Sequence, residues 1–151
     1  MLAAATVWEG LLPEKESMPQ HEQTIRVRYA ETDAMGVAHH ASYIVWLEEG
    51  RTSLLRSIGV PYPEIEAAGF FVVLSDLRAR YLGAARYDDV LTLLTELTTV
   101  RSRQVCFDYA LCSADGRQLL TARTEHIIVA QRTMRPARLP DALLRRMADD
   151  Q

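Results

Sequence analysis

No apolar run in this chain approaches the ~18 residues that a membrane-spanning helix needs, and neither collagen-like repeats nor a low-complexity segment is present. Cysteine is scarce: Cys106 and Cys112 stand alone, without a CxxC pair or a Cys/His spacing suited to zinc. Both fall within what reads as one strand, about 20 Å apart at ~3.3 Å per residue, so they cannot pair with each other there. Two unpaired thiols suit a reducing compartment. Lysine is nearly missing, Lys15 being the only one, and positive charge is not in surplus. Seventeen basic against twenty acidic residues give a net charge of -3, which argues against a sequence-independent nucleic-acid binder. The N-terminus has no basic start, and its short apolar patch, Leu2 to Trp8, runs into Glu9, Glu14 and Glu16, a poor secretion signal. The expectation is a cytoplasmic protein with no membrane span and no nucleic-acid partner.

What is present fits one domain. The 151 residues are 48% hydrophobic and 25% charged, enough to bury one proper core. Residues 1–22 mix small residues, prolines and charges without periodicity and read as a flexible extension, leaving 23–151 as the domain. From Gln23, the alternation of Ile25, Val27 and Tyr29 with Thr24, Arg26 and Arg28 predicts a half-buried strand that ends in the turn-prone ETDAMG. Tyr43, Ile44, Leu47, Gly50, Arg51, Leu54, Leu55 and Ile58 then recur at spacings of three and four, predicting a long, largely buried helix stopped at Gly59. A short helical turn is expected over Glu64 to Ala68, between Pro63 and Gly69.

Beyond Gly69 come four long strands, over 70–81, 90–100, 103–113 and 118–130, with turns at Gly83-Ala84-Ala85, Arg101-Ser102 and Ala114-Asp115-Gly116. A short surface helix is expected over Asp141 to Met147. Helix and strands segregate along the chain, so the class is α+β, with an uninterrupted antiparallel meander wrapped around the central helix.

Chemistry concentrates at the junction of first strand and helix. Asp33 in T-D-A-M-G can simply cap its own turn, or it can serve as a general base or nucleophile. His40 falls where the first-turn N–H groups of the helix lack intrahelical partners, which favours a developing anion. Gly36 lets the loop backbone come close to a ligand. Adjacent His39 and His40 point different ways and have no third metal ligand, and Ser42 near a helix start suits a cap better than a nucleophile. Glu48 reads as a hydrogen-bond partner within or between chains and Glu49 as solvated. Arg80, Arg86 and Asp89 read as strand-end stabilisers. Tyr29 reads as a core or pocket-wall residue whose hydroxyl can position Asp33. Arginine is concentrated between 117 and 138, five against Glu125 alone, a local excess of +4 that an anion could use.

The stretch RVRYAETDAMGVAHHASYIVWLEEGRTSLLR resembles the entry strand, active-site loop and central helix of hotdog-fold acyl-CoA thioesterases of the 4-hydroxybenzoyl-CoA thioesterase family. The similarity continues through YLGAARYDDVL, the hairpin at Asp115-Gly116 and RPARLP, covering about Gln23 to Leu144. The family's Tyr, Asp four residues on and aromatic or His seven further match Tyr29, Asp33 and His40. The resemblance implies a hotdog fold and acyl-CoA hydrolysis with Asp33 as base or nucleophile and the His40 N–H polarising the thioester carbonyl. It implies a homodimer or homotetramer with sites shared between subunits, and no cofactor beyond the CoA that is part of the substrate. Arg101, Arg103, Arg135 and Arg138, all near turns, are the candidates for CoA phosphates. Two other readings stay open: a hotdog dehydratase or hydratase of 3-hydroxyacyl thioesters, and a non-catalytic acyl-CoA binder. The acyl group, and whether it arrives on CoA or an acyl carrier protein, is left undetermined.

Overall fold

A computed structural model of the protein describes residues 18–148. Its elements are β1 (Gln20–Arg26), α1 (His40–Ser57), α2 (Tyr62–Ala67), β2 (Phe70–Tyr81), β3 (Val90–Arg101), β4 (Gln104–Cys112), β5 (Gln118–Ala130) and α3 (Asp141–Ala148). Most of the extension expected over 1–22 lies outside the described residues. Its last three residues are sheet: Gln20, His21 and Glu22 pair with Glu96, Thr95 and Leu94 of β3. Their polar composition hid the strand, because an edge strand is held by its ladder as much as by an apolar face.

The five strands form one antiparallel sheet in the order β1-β3-β4-β5-β2. The expected meander therefore holds only for β3, β4 and β5. β2 pairs with β5 at the far edge, so the segment from β2 to β3 crosses the end of the sheet. Gly83-Ala84-Ala85 is thus not a hairpin turn. Fully buried Ala85 anchors the crossing by accepting a hydrogen bond from the Ala38 N–H at 2.8 Å, while Val27 and Asp88–Asp89 bond further along.

Alternation along the strands puts Ile25, Leu93, Phe107, Leu111 and Ile128 on the face that wraps α1, whose Trp46, Leu47, Leu54 and Leu55 fill the same core. Gly50 makes the close approach possible, since a Cβ there would collide with the Leu93 and Thr95 side chains of β3. Ile58 caps the helix, and Gly59, at φ +78°, turns the chain toward α2. The expected surface helix near the C-terminus is α3, and it is more than a surface element. Leu143 and Met147 are buried, and Arg146 donates to the Gly59 carbonyl at 2.8 Å and pairs with Glu64.

Under α1 the largely apolar sheet face carries, besides buried Thr95, a polar chain. The Tyr109 hydroxyl bonds Thr124 Oγ1 at 2.8 Å, and His126 Nε2 bonds the same oxygen at 2.9 Å. Burial, with the Arg51 charge adding to it, pushes the His126 pKa down to about 4, and burial pushes Tyr109 up to about 12. A histidine with a depressed pKa in the folded state takes up its proton more readily when unfolded. Its stabilising effect is therefore complete above about pH 6.5 and lost as pH falls toward 4, by up to roughly 3 kcal/mol. Thermal melts between pH 7 and pH 4.5 should show a steeper loss for the wild type than for His126→Gln, which cannot charge. Parallel slopes would contradict this.

Candidate active site

The loop between β1 and α1 is closed by its own backbone. Thr32 bridges Ala38, the Asp33 N–H donates to the Val37 carbonyl at 2.9 Å, and the Gly36 N–H donates back to the Asp33 carbonyl at 3.0 Å. Gly36 sits at φ +77° with open space where a Cβ would point, so turn conformation rather than close packing requires glycine. Asp33 Oδ1 accepts the Met35 N–H at 2.8 Å, so the turn-capping role is real. That role uses one oxygen; Oδ2 has no hydrogen-bond partner among the described residues.

His39, not Ser42, caps α1. Its Nδ1 accepts the Ala41 N–H at 3.0 Å, and its carbonyl takes the Ser42 N–H at 2.9 Å. Ser42 lies inside the first turn, where its hydroxyl donates to the Glu31 carbonyl at 2.9 Å. His40 is the first helical residue, and its N–H is the first-turn donor left without an acceptor among the described residues. Its exposed ring stacks on His39 with centroids 4.0 Å apart. A carboxylate oxygen and a helix-terminal N–H are thus presented by one rigid loop. Such a pair can attack or hydrate a carbonyl carbon and hold the resulting oxyanion.

Tyr29 departs from expectation. It is 78% exposed in a single 3-10 turn, Tyr29–Glu31, with its ring edge-on to Tyr87 at 5.7 Å, and it makes no bond to Asp33. The turn forms because Glu31 reaches back to Arg28, accepting its backbone N–H at 2.9 Å and its guanidinium at 2.8 and 2.6 Å. Burial pushes the Glu31 carboxyl up, but the Arg28 donors and charge, with the nearby Trp46 indole, together prevail and hold it below the usual range.

Two tyrosines that sequence reasoning passed over fix the helix start. Tyr81, at the end of β2, donates its hydroxyl to the His40 carbonyl at 2.8 Å. Tyr43 accepts the Ala85 N–H at 3.2 Å and packs edge-on against Tyr81. The available signal was an aromatic closing a strand in YLGAA.

The remaining candidates lie elsewhere. Glu48 is exposed, 3.9 Å from Arg51, and Glu49 is exposed. Arg101 and Arg103 flank the β3–β4 turn, and Arg135 and Arg138 lie on the segment after β5. Bonds from Leu139 to Ser102, Ile128 to Arg103 and Ala130 to Arg135 bring all four to one end of the sheet. Arg138 is paired with exposed Asp141 at 2.6 Å. Part of the local arginine excess is neutralised, since Arg123 pairs with Asp108 and Glu125. Asp89, as expected of a strand-end residue, accepts the Arg86 N–H at 2.8 Å. The arginine end is the Phe70 end of β2, whereas His40 sits at the Tyr81 end, about 36 Å away along the strand at ~3.3 Å per residue. Within one chain the structure does not bring these groups together. No cluster of three or more metal-ligating side chains occurs among the described residues, and no helix among them is long and apolar enough to cross a membrane.

Comparison with known proteins gives a consistent picture. The model of the thioesterase-like superfamily matches residues 27–147. The acyl-CoA thioester hydrolase YbgC of Escherichia coli O6:H1 is 32% identical over 120 residues, covering 80% of this chain and 90% of the relative. A crystal structure of a DHNA-CoA thioesterase from Staphylococcus aureus superposes with a TM-score of 0.76 at 28% identity, over 80% of each chain. The hypothetical protein TT1821 of Thermus thermophilus superposes at 0.78 with 36% identity, over 83% of this chain and 95% of that one.

The loop geometry separates structural from chemical roles. Asp33→Asn keeps an oxygen for the Met35 N–H, so its melting temperature should stay within a few degrees of the parent. Gly36→Ala forces a left-handed backbone on a residue with a Cβ and should cost about 1–2 kcal/mol. Equal melting of all three proteins would show that this turn carries no strain.

Proposed function

The chain belongs to the thioesterase-like superfamily and is a thioester hydrolase of the hotdog fold; from that premise we propose that it cleaves acyl-CoA at the Asp33 loop. The observation that carries this reading is the pairing of an unengaged Asp33 carboxylate oxygen with the free His40 N–H at the positive end of α1. In one route the Asp33 oxygen attacks the thioester carbonyl carbon. The carbonyl π pair moves onto oxygen, where the His40 N–H stabilises it. Collapse expels the CoA thiolate, and water then hydrolyses the acyl-aspartyl anhydride. In the other, Asp33 takes a proton from water as that water attacks the same carbon; collapse of the oxyanion then breaks the C–S bond, and the departing CoA thiolate takes the proton from Asp33. Both routes need the carboxylate and the backbone N–H, and neither needs the His40 imidazole.

The proposal includes self-association. β2 is an edge strand twelve residues long whose outer side has no strand partner among the described residues, with Phe71, Val73 and Leu74 exposed along it, and such an edge favours pairing with a copy of itself. Antiparallel pairing about the middle of β2 would bring Tyr81 of one chain beside Phe70 of the other. The Asp33 loop of one subunit would then meet the arginine end of its partner, where Arg101, Arg103, Arg135 and Arg138 suit the CoA phosphates. A dimer is the minimal assembly with a complete site, and pairs of dimers are compatible with it. Buried, unpaired Cys106 and Cys112 support a reducing, cytoplasmic setting.

Thiol release from an acyl-CoA panel tests the assignment. Asp33→Asn should lower kcat by ~10²–10⁴ with substrate binding changed much less, and His40→Ala should lose less because the N–H survives. If Glu48→Gln abolishes turnover while Asp33→Asn leaves most of it, the catalytic carboxylate is on the helix. Salt should raise KM for acyl-CoA but not for the matching acyl-pantetheine, which lacks the nucleotide phosphates. An equal response of both would remove the arginines from the binding site.

A further inference from the structure

Arg51 is a charged residue on the apolar stripe of α1, and its side chain is only 12% exposed. It lines a cavity of about 290 Å³ together with Glu48, Thr52, Tyr62, Val72, Leu74, His126 and the exposed Glu66. The guanidinium lies beside the Tyr62 and Tyr109 hydroxyls. Its ion pair with Glu48 is 3.9 Å long, too long for a hydrogen bond, and the Glu48 side chain is 69% exposed. A nearly buried cation flanked by neutral hydroxyls and one loose, water-screened carboxylate is poorly compensated. Guanidinium presents a planar fork of donors that matches a carboxylate in two parallel bonds.

We propose that this cavity is the acyl-end subsite and that Arg51 selects short acyl groups ending in a carboxylate. The inference rests on the thioesterase reading and on the β2 pairing. α1 runs antiparallel to β2, with His40 over Tyr81 and the Arg51 cavity over Val72 and Leu74. The pairing that sets Tyr81 beside the partner's β2 start therefore sets each Asp33 loop next to the other chain's Arg51 cavity. Val72 and Leu74 suit the methylenes, and the volume, at the small end of small-molecule sites, suits a chain of a few carbons. Thr52 and Tyr62 add hydroxyl donors, and burial pushes the Tyr62 pKa up so that it keeps its proton. His126 stays neutral at pH 7 and supplies no second cation. Exposed Glu48 can swing toward solvent when a better-placed carboxylate arrives, and exposed Glu66 remains in the lining.

The test compares chains of equal length with and without the terminal charge: glutaryl-CoA against valeryl-CoA and adipyl-CoA against hexanoyl-CoA, corrected for spontaneous hydrolysis. The wild type should favour the carboxylate-bearing member of at least one pair in kcat/KM by about 10–100-fold. In Arg51→Met that ratio should collapse or invert, whatever the absolute rates. Preference of the wild type for the hydrocarbon member, no preference, or an equal loss on both members in Arg51→Met would each overturn the proposal while leaving the thioesterase reading intact. The wild-type ratio needs no variant, so the test survives a misfolded Arg51→Met. Failure to cleave any thioester would overturn the thioesterase reading, and this proposal with it.

Discussion

The first turn of α1 is held over the Tyr81 end of β2, and the arrangement of the site follows from that anchorage. Tyr81 bonds the His40 carbonyl, and the Ala38–Ala85 bond ties the Asp33 loop to the segment crossing the sheet end. With that end fixed and Gly50 letting the helix settle onto β3, α1 must run back along the inner face toward Phe70. The free His40 N–H and the Asp33 carboxylate are then fixed relative to each other by backbone bonds rather than by flexible side chains. Sites held this way lose little orientation when substrate arrives.

In the proposed assembly neither chain holds the whole site. Asp33 and the His40 N–H lie at the Tyr81 end of β2, and the arginines and the Arg51 cavity lie at the other. Between them runs a long sheet edge, apolar in places, that has no strand partner among the described residues. The proposed isologous pairing of that edge would satisfy its backbone groups and join opposite ends of two chains in one operation. On that proposal association and catalysis are linked.

Much of this architecture is readable in the amino-acid sequence. Period-two alternation gave the long strands to within a residue or two, and the three-four spacing gave α1 with its stop at Gly59. The Asp33 turn and the His40 position at the helix start were readable because caps and turns are local. The crossing from β2 to β3 was not, since a loop with glycine and alanines looks like a hairpin turn until its buried Ala85 is seen to have tertiary partners. The period-two alternation of Ile25 and Val27 does not extend to Tyr29, because the strand ends at Arg26 and the Arg28–Glu31 contact closes a 3-10 turn instead. Arg51 fits the three-four spacing of α1, and the spacing alone does not reveal the hydroxyls and the cavity that surround its charge.

The central claim is that one site is assembled from the Asp33 loop of one chain and the Phe70 end of another. A crystal structure of Asp33→Asn with an intact acyl-CoA tests it directly. The account predicts two β2 strands paired antiparallel, the thioester oxygen within hydrogen-bond distance of the His40 N–H of one chain, and the CoA phosphates against the arginine end of the other. A ligand whose thioester and phosphates both rest on a single chain, or a β2 edge left unpaired, would contradict it.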